Sequence, residues 1–190
     1  MGRRISKVLG RIARSPGRVF GENKQNSGKD NEDEDKTRKT TNMSAKTELT
    51  DAVVVERTLN APTARVWQAL TDVDQMRAWY FDLKEFKPEP GFEFEFIVEH
   101  EGVKYHHLCK VTEAIPQKKI AYTWRYKGEP GESLVTFELF PDGNKTKLRL
   151  THKGLETFPK TPAYARKNFE MGWTSIATEL QQFLEGKRKS

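Results

Sequence analysis

The sequence predicts an α+β domain in which an antiparallel sheet of about six to seven strands packs on a long C-terminal helix, with two short helices after the first strand. Three observations carry this. Nineteen of the 20 Phe, Trp and Tyr residues lie beyond residue 50, so the core-forming chain begins there. From Phe92 to about residue 153, apolar residues alternate with polar ones in short segments, the period of a half-buried strand. After Pro159 and Pro162 the period changes, and Phe169, Trp173, Ile176, Leu180 and Phe183 or Leu184 recur at spacings of three and four, one face of a helix.

The elements follow in order. Val53 to Leu59, with three consecutive valines, read as a strand that ends at Asn60-Ala61-Pro62. Pro62 suits a first helical turn, and Val66, Trp67 and Leu70 give that helix one apolar face, closed by Thr71-Asp72. A second short helix, from about Asp74 to Trp79 with an Asp cap, delivers the cluster Trp79-Tyr80-Phe81. Lys84 to Lys87 form a further edge strand in this reading, before Pro88, Pro90 and Gly91 break the chain. Phe92, Phe94, Phe96 and Val98 then share one strand face, with Glu93 and Glu95 on the solvated one. Four more strands, about 103 to 113, 118 to 126, 133 to 140 and 145 to 153, are joined by turns at Pro116, Pro130-Gly131 and Asp142-Gly143. The terminal helix is the one amphipathic segment long enough to cover the apolar face of such a sheet.

The chain divides into a basic amphipathic segment (1–21), a linker expected to be disordered (22–50), the domain (51–186) and a basic tail (187–190). Net charge is +6, but residues 1–50 hold 12 basic and 7 acidic side chains, so the basicity belongs mainly to that tail and argues against a nucleic-acid-binding domain. Residues 22–42 contain no apolar side chain and have nothing to offset the entropy of ordering. Ile5, Val8, Leu9 and Ile12 line one helical face and Arg3, Arg4, Lys7, Arg11 and Arg14 the other, so residues 3–14 are a candidate contact with an anionic membrane or a transit peptide. The expected location is cytoplasmic, or an organelle matrix in the transit case. The single cysteine, Cys109, excludes an intramolecular disulfide.

No catalytic constellation assembles from the residue pattern. His106 and His107 are neighbours on a strand and point to opposite faces, which makes a shared metal awkward, and neither a metal nor a cofactor is expected. Cys109 shares a face with His107, an arrangement more simply read as adjacency than as an activated thiolate. Gly128, Gly131 and Gly143 belong to hairpin turns, not to a phosphate loop.

LNAPTARVWQALTD (59–72), RAWYF (77–81), PDGNKTKLRLTHKG (141–154) and FEMGWTSIATELQQFLE (169–185) together resemble the activator of heat-shock-protein-90 ATPase-like family, within the START-like (SRPBCC) superfamily of helix-grip domains. The resemblance covers Val53 to Leu184 and implies that the sheet is curved and encloses a cavity against the terminal helix. It implies as cavity residues Trp79 and Tyr80 near the mouth, Phe94, Phe96, Tyr122, Trp124, Phe137 and Leu139 on strands, and Met171, Trp173 and Ile176 on the helix. For each of these the competing reading is packed core. Three functions stay open: a non-enzymatic domain binding a small apolar or amphipathic ligand, a chaperone-linked ATPase activator acting through its surface, and a cavity enzyme of the cyclase or hydrolase type.

Overall fold

The computed structural model describes residues 52–100 and 102–187. The expectations for segments 1–21 and 22–50 and for most of the basic tail lie outside those residues. Strand β1 (Val53–Leu59) leads into helix α1 (Thr63–Thr71) and helix α2 (Val73–Trp79); strands β2 (Glu93–His100), β3 (Val103–Ile115), β4 (Lys119–Tyr126), β5 (Ser133–Asp142) and β6 (Lys145–Lys153) follow; helix α3 (Arg166–Leu184) ends the fold. The six strands form one antiparallel sheet in the order β1-β6-β5-β4-β3-β2, curved and open. The α+β helix-grip arrangement expected from the sequence is the one observed.

The period-two alternation decides which side chains enter the core. Phe94, Phe96 and Val98 of β2 are buried while Glu93, Glu95 and Ile97 face outward, and the same alternation buries Val135, Phe137 and Leu139 of β5 and Leu148, Leu150 and His152 of β6. On the outer face charges pair across strands, with Glu56 accepting from Arg149 at 2.7 Å and Lys119 meeting Glu113 at 2.7 Å. A bulge in β3 shifts the register between Val111 and Glu113, the kind of insertion that bends a strand and helps curve a sheet. Helix α3 crosses the concave side and buries Phe169, Gly172, Trp173, Ile176, Ala177 and Leu180 against it.

Three local expectations are corrected. Pro62 is the N-cap of α1, not a residue of its first turn, and Trp67 is only half-buried beside buried Val66, Ala69 and Leu70. The second helix starts at Val73 rather than Asp74, and its expected Asp cap is Asp72, whose carboxylate accepts from Gln75 N–H at 3.0 Å. Residues 84–87 form no strand, and the sheet has six members. Their neighbourhood is held by a side chain instead, since Arg77 donates to the carbonyls of Leu83 at 2.7 Å and Lys84 at 2.6 Å.

The turn between β4 and β5 docks on the segment after β6 through a glycine. Gly131 has φ +102°, and a Cβ there would stand 2.6 Å from the Thr157 carbonyl oxygen and 2.8 Å from Phe158 Cδ1. Gly131→Ala is therefore expected to cost at least about 2 kcal/mol, from left-handed strain and backbone collision together. A shift in the urea midpoint with an unchanged slope measures it.

Candidate functional site

At one end of the concave face the register brings three inward rings into a row, because Phe96 pairs with His107 and His107 with Tyr126. Trp124 lies two residues before Tyr126 on β4 and pairs with Ser133 of β5. The first half of α3 passes over this end, so Phe169, Gly172, Trp173 and Ile176 face the sheet there. A cleft of about 70 Å³ lies between the two layers. The rings of Phe81, Trp124, Tyr126, Phe169 and Trp173 form its walls, with His107 among them and Ala163 and Asn168 at its rim.

The walls are ordered by ring contacts. His107 stacks on Phe96 with centroids 4.4 Å apart and meets Trp124 edge-on at 4.7 Å. Trp124 in turn meets Trp173 edge-on at 5.3 Å. Phe158, held beneath the docked turn, stacks on Phe169 and packs edge-on against Tyr126. The rim is closed by Asn168, whose Nδ2 donates to the carbonyls of Pro162 at 2.8 Å and Ala163 at 3.1 Å.

One polar chain runs beside the cleft, and its proton positions follow from donor chemistry. An indole N–H can only donate, so Trp173 Nε1–H donates to His152 Nδ1 at 2.8 Å. His152 must then carry its proton on Nε2, which donates to Ser133 Oγ at 2.7 Å. That leaves the Ser133 hydroxyl to donate to the Trp124 carbonyl at 3.2 Å. Burial lowers the His152 pKa to about 3, consistent with a neutral ring. Ser133 and His152 thus form a strut between sheet and helix. A general base would need the opposite polarity, with the histidine accepting from serine.

His107 and Trp124 behave differently. Nδ1 of His107 and Nε1 of Trp124 have no partner within hydrogen-bond geometry, although each residue is only 4% exposed. Only looser polar neighbours are at hand, the backbone at Tyr105 and Phe96 for His107 and the Tyr126 hydroxyl for Trp124. Burial brings the His107 pKa to about 3 against a weaker opposing effect of the backbone at Tyr105 and Phe96, so the ring is neutral. Burial also pushes the Cys109 thiol well above its ordinary range, so the Cys109 and His107 neighbours hold a thiol and a neutral imidazole rather than a thiolate pair. His106 projects from the opposite face and meets Glu95 at 2.9 Å. Among the described residues no group of three or more His, Cys, Asp or Glu side chains could hold a metal ion.

Of the residues expected in a cavity, Trp124, Trp173 and Ile176 line the cleft. Phe96 stands behind its wall, stacked on His107 and on Phe81. Phe94, Tyr122, Phe137 and Leu139 are buried in the core outside the cleft lining, Phe94 edge-on against Phe86, Tyr122 hydrogen-bonded to Tyr80, and Phe137 edge-on against Trp173. Trp79 and Tyr80 are not at a mouth: both are 1% exposed, with Trp79 Nε1 donating to the Ala69 carbonyl and the Tyr80 hydroxyl paired with that of Tyr122 at 2.7 Å. Met171 is 37% exposed and does not enter the cavity, because it lies two residues from Phe169 and Trp173 and so on the far side of α3. Residue-pattern reasoning missed Tyr126, Asn168, Phe169, Gly172 and the His152 strut as site residues.

A larger groove of about 510 Å³ lies on the outer face between β1, β6 and Phe140. Arg149 pairs there with Glu56 and Lys147 with Asp142 at 3.6 Å, while Arg57 bonds only the Glu56 carbonyl.

The family described as activator of Hsp90 ATPase homolog 1-like protein matches residues 60–185. Protein MLL2253 from Mesorhizobium loti is 30% identical, aligns over 73% of this chain and 99% of its own, and superposes with a TM-score of 0.58. Protein CV1439 from Chromobacterium violaceum is 25% identical over 72% of this chain and 98% of its own, with a TM-score of 0.61. DynU16, a protein of the dynemicin biosynthetic locus, shares the fold at 22% identity and a TM-score of 0.60, over 73% of this chain and 48% of its own. No curated protein matches the chain. No helix of the described residues is long and apolar enough to cross a membrane. The match over residues 60–185, together with the sheet order and the helix over its concave face, places this chain in the activator of Hsp90 ATPase homolog 1-like family.

Proposed function

We propose that this protein is a non-enzymatic binding domain that holds a small apolar or amphipathic molecule in the cleft between the sheet and α3. One observation carries the reading: the cleft is walled by aromatic rings yet contains two buried ring nitrogens, on His107 and Trp124, without partners. Apolar walls with a few polar atoms are the ordinary composition of a ligand site. The family fold supports it, since this is a fold of ligand-binding domains, and the DynU16 likeness extends the fold to a biosynthetic locus. Gly172 supports it further. A glycine inside a helix costs about 0.5 to 1 kcal/mol relative to alanine, and this one is buried and lines the cleft.

The cleft is small. At about 70 Å³ it is less than half of the roughly 150 Å³ that accepts a benzene, so a ligand enters by displacing the turn that Asn168 holds closed. The family's description names activation of the Hsp90 ATPase, which would require an exposed partner surface. The cluster Trp79-Tyr80-Phe81 that would have offered one is interior.

A saturable rise in Tm with p-xylene tests the proposal, because a ligand selective for the native state stabilises it by mass action. Gly172→Leu is expected to abolish that rise while the unliganded variant still melts cooperatively. A rise of the same size in both proteins would place the ligand elsewhere.

A further inference from the structure

The cleft is too costly for a packed core. Each buried polar atom left without a partner costs about 1 to 3 kcal/mol. Other buried polar side chains nearby are engaged: Trp79 with Ala69, Tyr80 with Tyr122, and Trp173, His152 and Ser133 in series. Phenylalanine at position 107 or 124 would preserve the apolar wall without that cost. Two unpaired ring nitrogens nevertheless fall on this one cleft, in rings that touch each other at 4.7 Å, while a third, His100 Nε2, lies away from it on β2. An uncompensated departure from apolar packing of this kind is expected where a site binds something.

The chemistry of the lining narrows the ligand. Trp124 Nε1–H only donates, so the ligand must present an acceptor. His107 presents one neutral ring nitrogen, and a hydroxyl fits either tautomer, donating to a bare nitrogen or accepting from a protonated one. No charged side chain lines the cleft, so an ionised ligand would be buried without a counter-charge. The walls are flat rings in edge and stacked arrangements, and one ring is the most that the space takes once the turn is displaced. Resting on the binding reading above, we infer that the ligand is a small neutral phenol, held with its ring between Phe81, Phe169 and Trp173 and its hydroxyl oxygen against Trp124 Nε1 and His107 Nδ1.

The test compares 4-methylphenol with p-xylene, which has the same shape with a methyl in place of the hydroxyl, titrated into the full chain. The site is expected to bind 4-methylphenol at least about tenfold more tightly, because an analogue lacking the hydroxyl leaves the buried nitrogens unpaired. In His107→Phe the preference for 4-methylphenol over p-xylene is expected to fall several-fold while the Tm of the unliganded protein rises. Equal binding of the two ligands by the natural protein would overturn the phenol assignment and leave the cleft as a site for apolar molecules. Binding of neither would overturn both, with the cleft holding water alone. A wild-type preference that survives His107→Phe undiminished would remove His107 from the recognition. The natural-protein comparison needs no variant, so the assignment stays falsifiable if the substitution fails to fold.

Discussion

Trp173→Ala is expected to be the most destabilising single substitution in the domain. Truncating a buried tryptophan costs about 3 to 5 kcal/mol. Here it also strands His152 Nδ1, which accepts the Trp173 N–H, and an unsatisfied buried group adds about 1 to 3 kcal/mol. Against a typical total of about 5 to 15 kcal/mol, the loss leaves a marginal protein or an unfolded one. Trp173→Phe separates the two contributions, because it keeps a ring between Trp124 and Phe137 but removes the donor. Urea denaturation should give a loss of about 1 to 3 kcal/mol for phenylalanine and clearly more for alanine. A negligible loss for phenylalanine would show that the hydrogen bond to His152 contributes nothing, and equal losses would show that the ring packing adds nothing beyond it.

Acid should unfold the domain early, and by a histidine mechanism. His107 and His152 are both held neutral in the folded protein, with burial lowering each pKa from an ordinary 6.5 to about 3. Between those values the unfolded chain binds more protons than the folded one, so the stabilisation is complete above pH 6.5 and is lost as pH falls toward 3. Each histidine contributes a slope of up to about 1.4 kcal/mol per pH unit across that window. Carboxylates on the outer face are exposed and paired only at the surface, so their share is small. His107→Phe is expected to reduce the slope of stability against pH between 6 and 4 by roughly half of the histidine part. An unchanged slope would mean that His107 takes up its proton in the folded protein without penalty, as an open ring would.

Most of the architecture was legible because alternation and helical spacing are local. Phe94, Phe96 and Val98 announce their strand without knowledge of any partner, and Asp142-Gly143 marks a hairpin by its own chemistry. The cleft was not legible in the same way. Phe96, His107 and Tyr126 form one row only through a register that includes the β3 bulge, and no periodicity states which end of a strand lies beneath α3. Phe94 and Tyr122 have the same alternation as Phe96 and Trp124, yet they pack edge-on against each other outside the cleft, with Phe86 and Tyr80 as neighbours. Two errors were avoidable. Met171 breaks the helical spacing of Phe169, Trp173 and Ile176, and His152 continues the inward series Thr146, Leu148, Leu150. Lys84 to Lys87 misled because the carbonyls of residues 83 and 84 pair with Arg77 and not with a strand, a tertiary choice with no local signature.

The four tryptophans provide the most direct test of the cleft, since each indole N–H gives its own resonance in a proton–nitrogen correlation spectrum. The N–H groups of Trp79 and Trp173 are committed to Ala69 and His152, whereas that of Trp124 has no partner within hydrogen-bond geometry and only the Tyr126 hydroxyl as a looser neighbour. Titration of the full chain with 4-methylphenol should therefore move the Trp124 indole signal to a saturating position, with the Trp79 signal unmoved and that of Trp173 shifted little. A Trp124 signal that stays fixed at saturating ligand, or a larger shift at Trp79, would contradict binding between the sheet and α3.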